Sequence, residues 1–105
     1  MSSWYNIELN VTDFNPNKIQ DIKSAASDVW AFGENWCESS AYIENYGEGS
    51  ISGGPESLAK ELAIAVLEAN GEDCTVQIYA TYLEDLPYDY FEFQSLDELK
   101  GNDRD

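Results

Sequence analysis

The residues of this chain that could do chemistry are its carboxylic acids. The sequence contains twenty-one Asp and Glu, five Lys and Arg and no His, which gives a formal net charge of −16. The 39 residues between Lys60 and Lys100 include ten acids and no base. These acids are Glu61, Glu68, Glu72, Asp73, Glu84, Asp85, Asp89, Glu92, Asp97 and Glu98. Such an excess destabilises a small domain by self-repulsion and exceeds the charge of about 2 to 8 that solubility requires. We therefore expect the acidity to serve binding.

The spacing of the carboxylates indicates what they would bind. Carboxylates two residues apart on one strand face stand about 6.6–6.8 Å apart. An (i, i+4) pair on a helix stands about 6 Å apart. Both separations are of the order of the distance between neighbouring phosphates on a nucleic-acid strand. A rigid domain carrying them would present a surface that a Lys- and Arg-lined DNA channel accepts as duplex, by fast, steered and salt-sensitive attraction.

We expect the partner-binding site on the last hairpin of the chain, where acids and tyrosines occur together. Tyrosine is enriched at protein interfaces as a rigid anchor, although aromatic pairs that merely stabilise an exposed sheet face explain the cluster equally well. The predicted binding residues are Glu84, Asp85, Asp89, Glu92, Glu72, Asp73, Tyr88 and Tyr90.

Other chemistries lack their motifs. Without His there is no imidazole base and no Ser-His or Cys-His pair. Cys37 and Cys74 belong to no C-x-x-C motif and are too few for a zinc site or a disulfide framework, so we expect two buried thiols. The glycine-rich stretch 47–54 lacks the lysine of a phosphate loop, and no EF-hand pattern occurs. We expect no catalytic residue, no metal site and no cofactor, with a hydrolase that uses two carboxylates as an alternative.

Two helices that would position these residues are predicted from apolar spacings of three and four. The first covers about residues 16–31 and begins at Asn15-Pro16, an N-cap followed by proline at the first helical position. The second begins at Pro55 and stops at Asn70-Gly71, a left-handed C-terminal stop.

Four or five strands are predicted from alternating apolar residues. Between the helices, Gly47 and Gly49 interrupt the alternation, so we expect a hairpin made of a strand near 40–46 and a short strand at 50–52. The expected order is β-α-β-β-α-β-β. This order indicates an α+β sandwich of ferredoxin-like type, with an antiparallel sheet and two helices on one face.

The composition also predicts the organisation and location of the protein. We expect one domain over residues 1–94 and an acidic, partly disordered tail over 95–105. Because the charge is strongly negative, direct nucleic-acid binding and attraction to an anionic membrane are excluded. No apolar run reaches the roughly 20 residues that span a bilayer, and the first residues show no signal-peptide pattern. We expect a cytoplasmic monomer or homodimer, in the bacterial host cell if a phage encodes it.

Two resemblances extend this interpretation. In charge and size the chain resembles the small acidic anti-CRISPR and anti-restriction inhibitors of phages and mobile elements. Trp4-Tyr5-Asn6 ahead of a strand, and Glu34-Asn35-Trp36 leading into Ala41-Tyr42, are similar to Api92-like ferredoxin-like domains of phages and plasmids, which typically run E-N-W-G-T-K-W-D-A-Y. Cys37-Glu38-Ser39-Ser40 replaces the middle of that motif. The second resemblance implies a ferredoxin-like fold and a mobile-element origin and transfers no catalytic residue.

These observations predict a non-enzymatic acidic inhibitor that mimics nucleic acid. Its partner would be a basic DNA- or RNA-binding protein or nucleoprotein complex, with a bacterial defence complex as the first candidate. Three alternatives stay open: an immunity protein against a basic nuclease toxin, the small carboxylate hydrolase, and a structural or assembly subunit. Adaptation to high salt also gives acid-rich surfaces, but eight Asn and many aromatics argue against it.

Overall fold

The computed structural model describes residues 2–82 and 88–100, which form one five-stranded sheet and three α-helices. The strands are β1 (Ser2–Thr12), β2 (Cys37–Glu38), β3 (Tyr42–Ser52), β4 (Thr75–Tyr82) and β5 (Asp89–Phe93). The helices are α1 (Ile19–Val29), preceded by a 3₁₀ turn (Pro16–Lys18), α2 (Pro55–Asn70) and α3 (Leu96–Lys100). None of the helices in this part of the chain is long and apolar enough to cross a membrane.

The sheet is antiparallel throughout and has the strand order β2-β3-β1-β4-β5. The central strand β1 pairs along its whole length with β3 and from Tyr5 to Thr12 with β4. The predicted α+β class with an antiparallel sheet is confirmed.

The core lies between one face of this sheet and the helices. Strand residues on that face are almost completely buried because alternate side chains point to it. They include Ile7, Leu9 and Val11 of β1, Ile43 and Ile51 of β3, and Val76, Ile78 and Ala80 of β4. The helices contribute Ile22 and Ala26 of α1 and Leu62 and Val66 of α2. The alternate strand residues are therefore left on the other face of the sheet.

The helix ends follow local signals in the sequence. The Asn15 side chain accepts a hydrogen bond of 3.1 Å from the backbone N–H of Asn17, and Pro16 follows at the first helical position. Helix α2 runs from Pro55 to Asn70 and ends at Gly71, whose φ of 81° is left-handed. Helix α1 ends at Val29, two residues earlier than expected, because the next residue, Trp30, is already extended.

The region between the helices differs from its prediction. The glycines do not end a strand: β3 continues over Tyr42–Ser52, and its outer neighbour is the two-residue strand β2. Gly47 and Gly49 point to the buried face, where Trp30 crosses them. A Cβ on Gly47 would overlap the carbonyl oxygen of Ala31, and one on Gly49 would stand 2.9 Å from the Trp30 ring. The expected hairpin of strands near 40–46 and 50–52 is wrong, because Gly47 makes room for the backbone at Ala31 and Gly49 for the Trp30 indole.

The predicted tail begins with the short helix α3. Ser95 and Glu98 form a capping box: the Ser95 hydroxyl accepts from the Glu98 N–H at 3.3 Å, and the Glu98 carboxylate accepts from the Ser95 N–H at 3.3 Å. Leu99 is buried against the core. Residues 101–105 lie outside the described residues.

Candidate functional site: the open face of the sheet

The sheet face opposite the helices, which we call the open face, is exposed to solvent. The strand register assigns its members. It consists of Trp4, Asn6, Glu8, Asn10 and Thr12 of β1, Tyr42, Glu44, Tyr46, Glu48, Ser50 and Ser52 of β3, Thr75, Gln77, Tyr79 and Thr81 of β4, Tyr90 and Glu92 of β5, Cys37 of β2, and Tyr88, whose ring contacts Tyr79. The open face therefore mixes carboxylates, amides and aromatic rings.

The open face carries negative charge without a positive counterpart. The five described strands contain no Lys or Arg, and the described lysines all lie on the 3₁₀ turn or the helices. Three of them make ion pairs on the helix side of the sheet: Lys18 with Asp21 at 3.9 Å, Lys60 with Glu56 at 3.5 Å, and Lys23 at 2.6 Å with Glu38 of β2, which is opposite the buried Ile43. The helices also bear acids, but interleaved with these lysines. The described strands place no lysine or arginine on the open face, so the charge of this face is of one sign.

Three of the open-face carboxylates lie close together on adjacent strands. Glu8 of β1 is directly opposite Tyr46 of β3, so it lies diagonally between Glu44 and Glu48. Diagonal neighbours in an antiparallel pair have Cα atoms about 7–8 Å apart. Glu92 follows farther across the sheet, on β5. Glu44, Glu8 and Glu48 thus form a row of two similar steps, and Glu92 stands apart from this row on the far side of β4.

Exposed aromatic side chains are interleaved with this row. The exposed large apolar residues among those described are Trp4 (49 % exposed), Tyr42 (40 %), Tyr46 (65 %), Tyr88 (54 %) and Tyr90 (42 %). All five belong to the open face. Exposed apolar groups gathered on one surface mark an interaction site more often than a structural need.

A chain of hydrogen bonds orients Glu92 on this face. Asn10 Nδ2 donates to Gln77 Oε1 at 3.1 Å, and Gln77 Nε2 donates to the Tyr90 hydroxyl at 3.0 Å. The Tyr90 hydroxyl donates to Glu92 Oε1 at 2.5 Å, and Gln94 Nε2 donates to Glu92 Oε2 at 3.2 Å. The Glu92 hydrogen bond raises the pKa of Tyr90, so the phenol keeps its proton and remains a donor. This carboxylate is therefore held in a fixed position.

Three of the eight predicted binding residues, Tyr88, Tyr90 and Glu92, lie together on the open face. Tyr79 joins them, with its ring centroid 4.9 Å from that of Tyr90 and 5.5 Å from that of Tyr88. The predicted residues Glu84 and Asp85 lie outside the described residues.

The other three predicted residues lie elsewhere. Asp89 is opposite Ala80, whose side chain is buried, so its own side chain leaves the strand on the helix side of the sheet. Glu72 and Asp73 belong to the connection before β4. Tyr82, the last described residue before β5, is at the other end of this eight-residue strand, about 23 Å away.

Asp73 borders an open groove of about 530 Å³ at the start of β4, and Glu72 lines, with Asp73, a smaller neighbouring cavity of about 330 Å³. The lining of the groove comprises Asp13, Asp73, Cys74, Thr75, Gln94, Ser95 and Glu98. The expectation of two buried thiols is confirmed for Cys74 and wrong for Cys37, because β2 is exposed. Burial, with a smaller contribution from Asp73, raises the pKa of the Cys74 thiol to about 11, so it is protonated and unreactive at neutral pH. Among the described residues no group of three His, Cys, Asp or Glu is placed to hold a metal ion.

Residues of β1 and β3 on the open face are absent from the predicted site. Trp4 and Glu8 are placed on the exposed side of the first strand by alternation alone, but their neighbours on β3 are identified only by the register. The sequence itself contains a signal for the β3 part of the face, the alternation of Tyr42, Glu44, Tyr46 and Glu48. The prediction misses this alternation because it ends the strand at Gly47.

Comparison with models of protein families, with curated proteins and with solved structures finds no match for this chain. Its function must therefore be inferred from the chemistry of the open face.

Proposed function

We propose that this protein is a non-enzymatic acidic inhibitor that mimics nucleic acid and binds a basic surface of a nucleic-acid-handling protein in the cytoplasm. The first candidate for that partner is a bacterial defence complex. The observation that supports the proposal is the open face, which concentrates carboxylates and exposed aromatic rings without a single lysine or arginine on the described strands. The proposed fold type is ferredoxin-like, a classification supported by helices after β1 and β3 and by the order β2-β3-β1-β4 within the sheet.

A basic partner would be attracted to this face because nothing on the face cancels its field. Interactions between exposed charges are screened beyond about 8–10 Å at physiological salt, so charges on the same face matter most. The lysines paired on the helices are therefore poorly placed to compensate the carboxylates of the open face. Association with a Lys- and Arg-lined groove should be fast and should weaken as salt is added.

The test compares two variants of equal net charge. The open-face variant carries Glu8→Gln, Glu48→Gln and Glu92→Gln. The helix variant carries Asp28→Asn, Glu61→Gln and Asp97→Asn, three exposed positions on α1, α2 and α3. Each variant removes three negative charges from the net charge of −16. A difference between them therefore reports the position of the charges and not their number.

Wild type and both variants would be used to capture proteins from a bacterial lysate at low and high salt. The captured protein would then be purified with a labelled oligonucleotide bound to it. We expect wild type and the helix variant to displace the oligonucleotide, and the open-face variant to bind about tenfold more weakly, since three exposed ion pairs contribute about 0.5 kcal/mol each. Equal weakening by both variants would contradict the proposal. So would a captured partner that nucleic acid does not compete for, and a captured nuclease toxin would indicate an immunity protein.

A further inference from the structure

On the open face, carboxylates and aromatic rings occur in pairs. Trp4 Nε1 donates to Glu48 Oε1 at 3.4 Å, and the Tyr90 hydroxyl donates to Glu92. Glu8 has a tyrosine directly opposite on each neighbouring strand, Tyr46 on β3 and Tyr79 on β4. Directly opposite residues of an antiparallel sheet have Cβ atoms about 4.5–5.5 Å apart. Each of these three carboxylates therefore has a ring within reach of the same bound group.

The rings on the β4–β5 side form a platform. Tyr79 contacts Tyr90 in a tilted arrangement, with 49° between the ring planes, and Tyr88 edge-on, with 67° between the planes. Tyr88 and Tyr90 are nevertheless more than two-fifths exposed. Their mutual contacts hold the rings in place while much of their surface stays open to a planar group.

A guanidinium fits such a pair better than an ammonium does. The arginine side chain is planar, stacks on aromatic faces and donates two parallel hydrogen bonds to one carboxylate. Lysine is a compact, strongly hydrated point charge that attracts the carboxylate but gains less from the ring. Three paired sites should therefore distinguish the two cations, although a carboxylate row alone would not.

Resting on the proposed function, we propose that the open face recognises arginine in preference to lysine, and that the partner surface is an arginine-rich groove that normally holds a single-stranded nucleic acid. A duplex presents phosphates with its bases stacked inside, whereas a single strand presents charges and flat rings together. The open face presents the same combination. Grooves for single strands bind both features, with cations along the backbone and stacking groups for the bases.

The preference can be measured with defined peptides and the whole protein. Capped hexa-arginine and hexa-lysine would be titrated separately at about 0.15 M salt, with affinity from calorimetry and the site from backbone amide shifts. An exposed cation–π contact corresponds to about a two- to fivefold gain per site. We expect hexa-arginine to bind about tenfold more tightly than hexa-lysine, with shifts on the open-face residues of β1, β3, β4 and β5.

Two sets of substitutions separate rings from charges. Trp4→Leu, Tyr46→Leu and Tyr90→Leu together should reduce the preference to about twofold or less and leave hexa-lysine binding nearly unchanged. The open-face carboxylate variant should weaken both peptides. Phe32→Leu, which changes an aromatic residue that contacts Trp36 away from the open face, should leave the preference intact. Circular dichroism would confirm that each variant is folded.

Equal affinity for the two peptides would overturn the arginine preference while leaving the proposed function standing. Shifts confined to the helices would overturn both. For the captured partner, a single-stranded oligonucleotide should compete with the protein more strongly than a duplex of the same sequence. The reverse order would overturn the single-strand groove and keep the basic partner.

Discussion

Replacing Gly47 with alanine should lower the free energy of unfolding by about 2–4 kcal/mol, because β3 has no room for a side chain where Trp30 crosses it. The added Cβ would overlap the carbonyl oxygen of Ala31, which is backbone and cannot rotate away. The chain at Trp30 and Ala31 must therefore move off the sheet. That movement stretches the buried hydrogen bond of 2.9 Å from Trp30 Nε1 to the Gly47 carbonyl.

The magnitude combines three effects. Overpacking costs about 1–3 kcal/mol, and loss of a buried hydrogen bond costs about 1–3 kcal/mol. The alanine also reduces the conformational entropy of the unfolded chain, and this stabilises the folded protein by about 0.4–1 kcal/mol. For a domain of this size each kcal/mol shifts the melting temperature by about 4–8 °C, so the expected decrease is roughly 10–30 °C.

The measurement is urea unfolding followed by circular dichroism. Gly33→Ala and Gly54→Ala are matched controls, because no atom lies within 4 Å of a Cβ at either position. Their unfolding free energies should change by less than about 1 kcal/mol. Gly49→Ala should be destabilising in wild type and nearly neutral in a Trp30→Leu background, since its clash is with the indole ring. A loss below about 1 kcal/mol for Gly47→Ala would refute the steric role assigned to this glycine in β3.

Two further predictions concern buried polar groups. Burial raises the pKa of Cys74 from 9.0 to about 11, so above pH 9 the unfolded chain releases this proton before the folded one does. When the pH rises from 8 to 10, the free energy of unfolding measured in urea should therefore fall by about 1.4 kcal/mol more in wild type than in Cys74→Ala. An equal fall in both proteins would contradict this. Asn70 is 1 % exposed, accepts from the Asn15 N–H at 2.8 Å and donates to the Glu72 carbonyl at 2.7 Å. Asn70→Ala should lower the free energy of unfolding by about 2–3 kcal/mol, and Asn17→Ala, at an exposed position, by less than about 0.5 kcal/mol. Equal urea unfolding midpoints for the two variants would contradict the structural role of the Asn70 hydrogen bonds.

The helices are predictable from the sequence because their signals are local. Asn15-Pro16 caps the first, and Gly71 ends the second with a residue that tolerates a left-handed conformation. The extent of β3 is not predictable in this way. Gly47 interrupts a strand in most contexts, and only its contact with the Trp30–Ala31 segment, distant in sequence, explains its presence.

The candidate site was predictable only in part, for a similar reason. Tyr88, Tyr90 and Glu92 share a face because they are two residues apart, and the same rule places Asp89 on the opposite face. A high density of acids along the chain is thus not a high density in space. That Glu8 lies beside Glu44 and Glu48 follows only from the register between β1 and β3, two strands that are far apart in sequence.

Strand β1 carries two kinds of information on alternate residues. Ile7, Leu9 and Val11 specify the core, while Trp4 and Glu8 face outward and contribute little to it. Substitutions at Trp4 and Glu8 that keep the strand conformation therefore leave the core side chains of β1 in place. For the inhibitor proposed above, this separation would let the recognition surface follow a target that evolves to escape it while the scaffold stays the same.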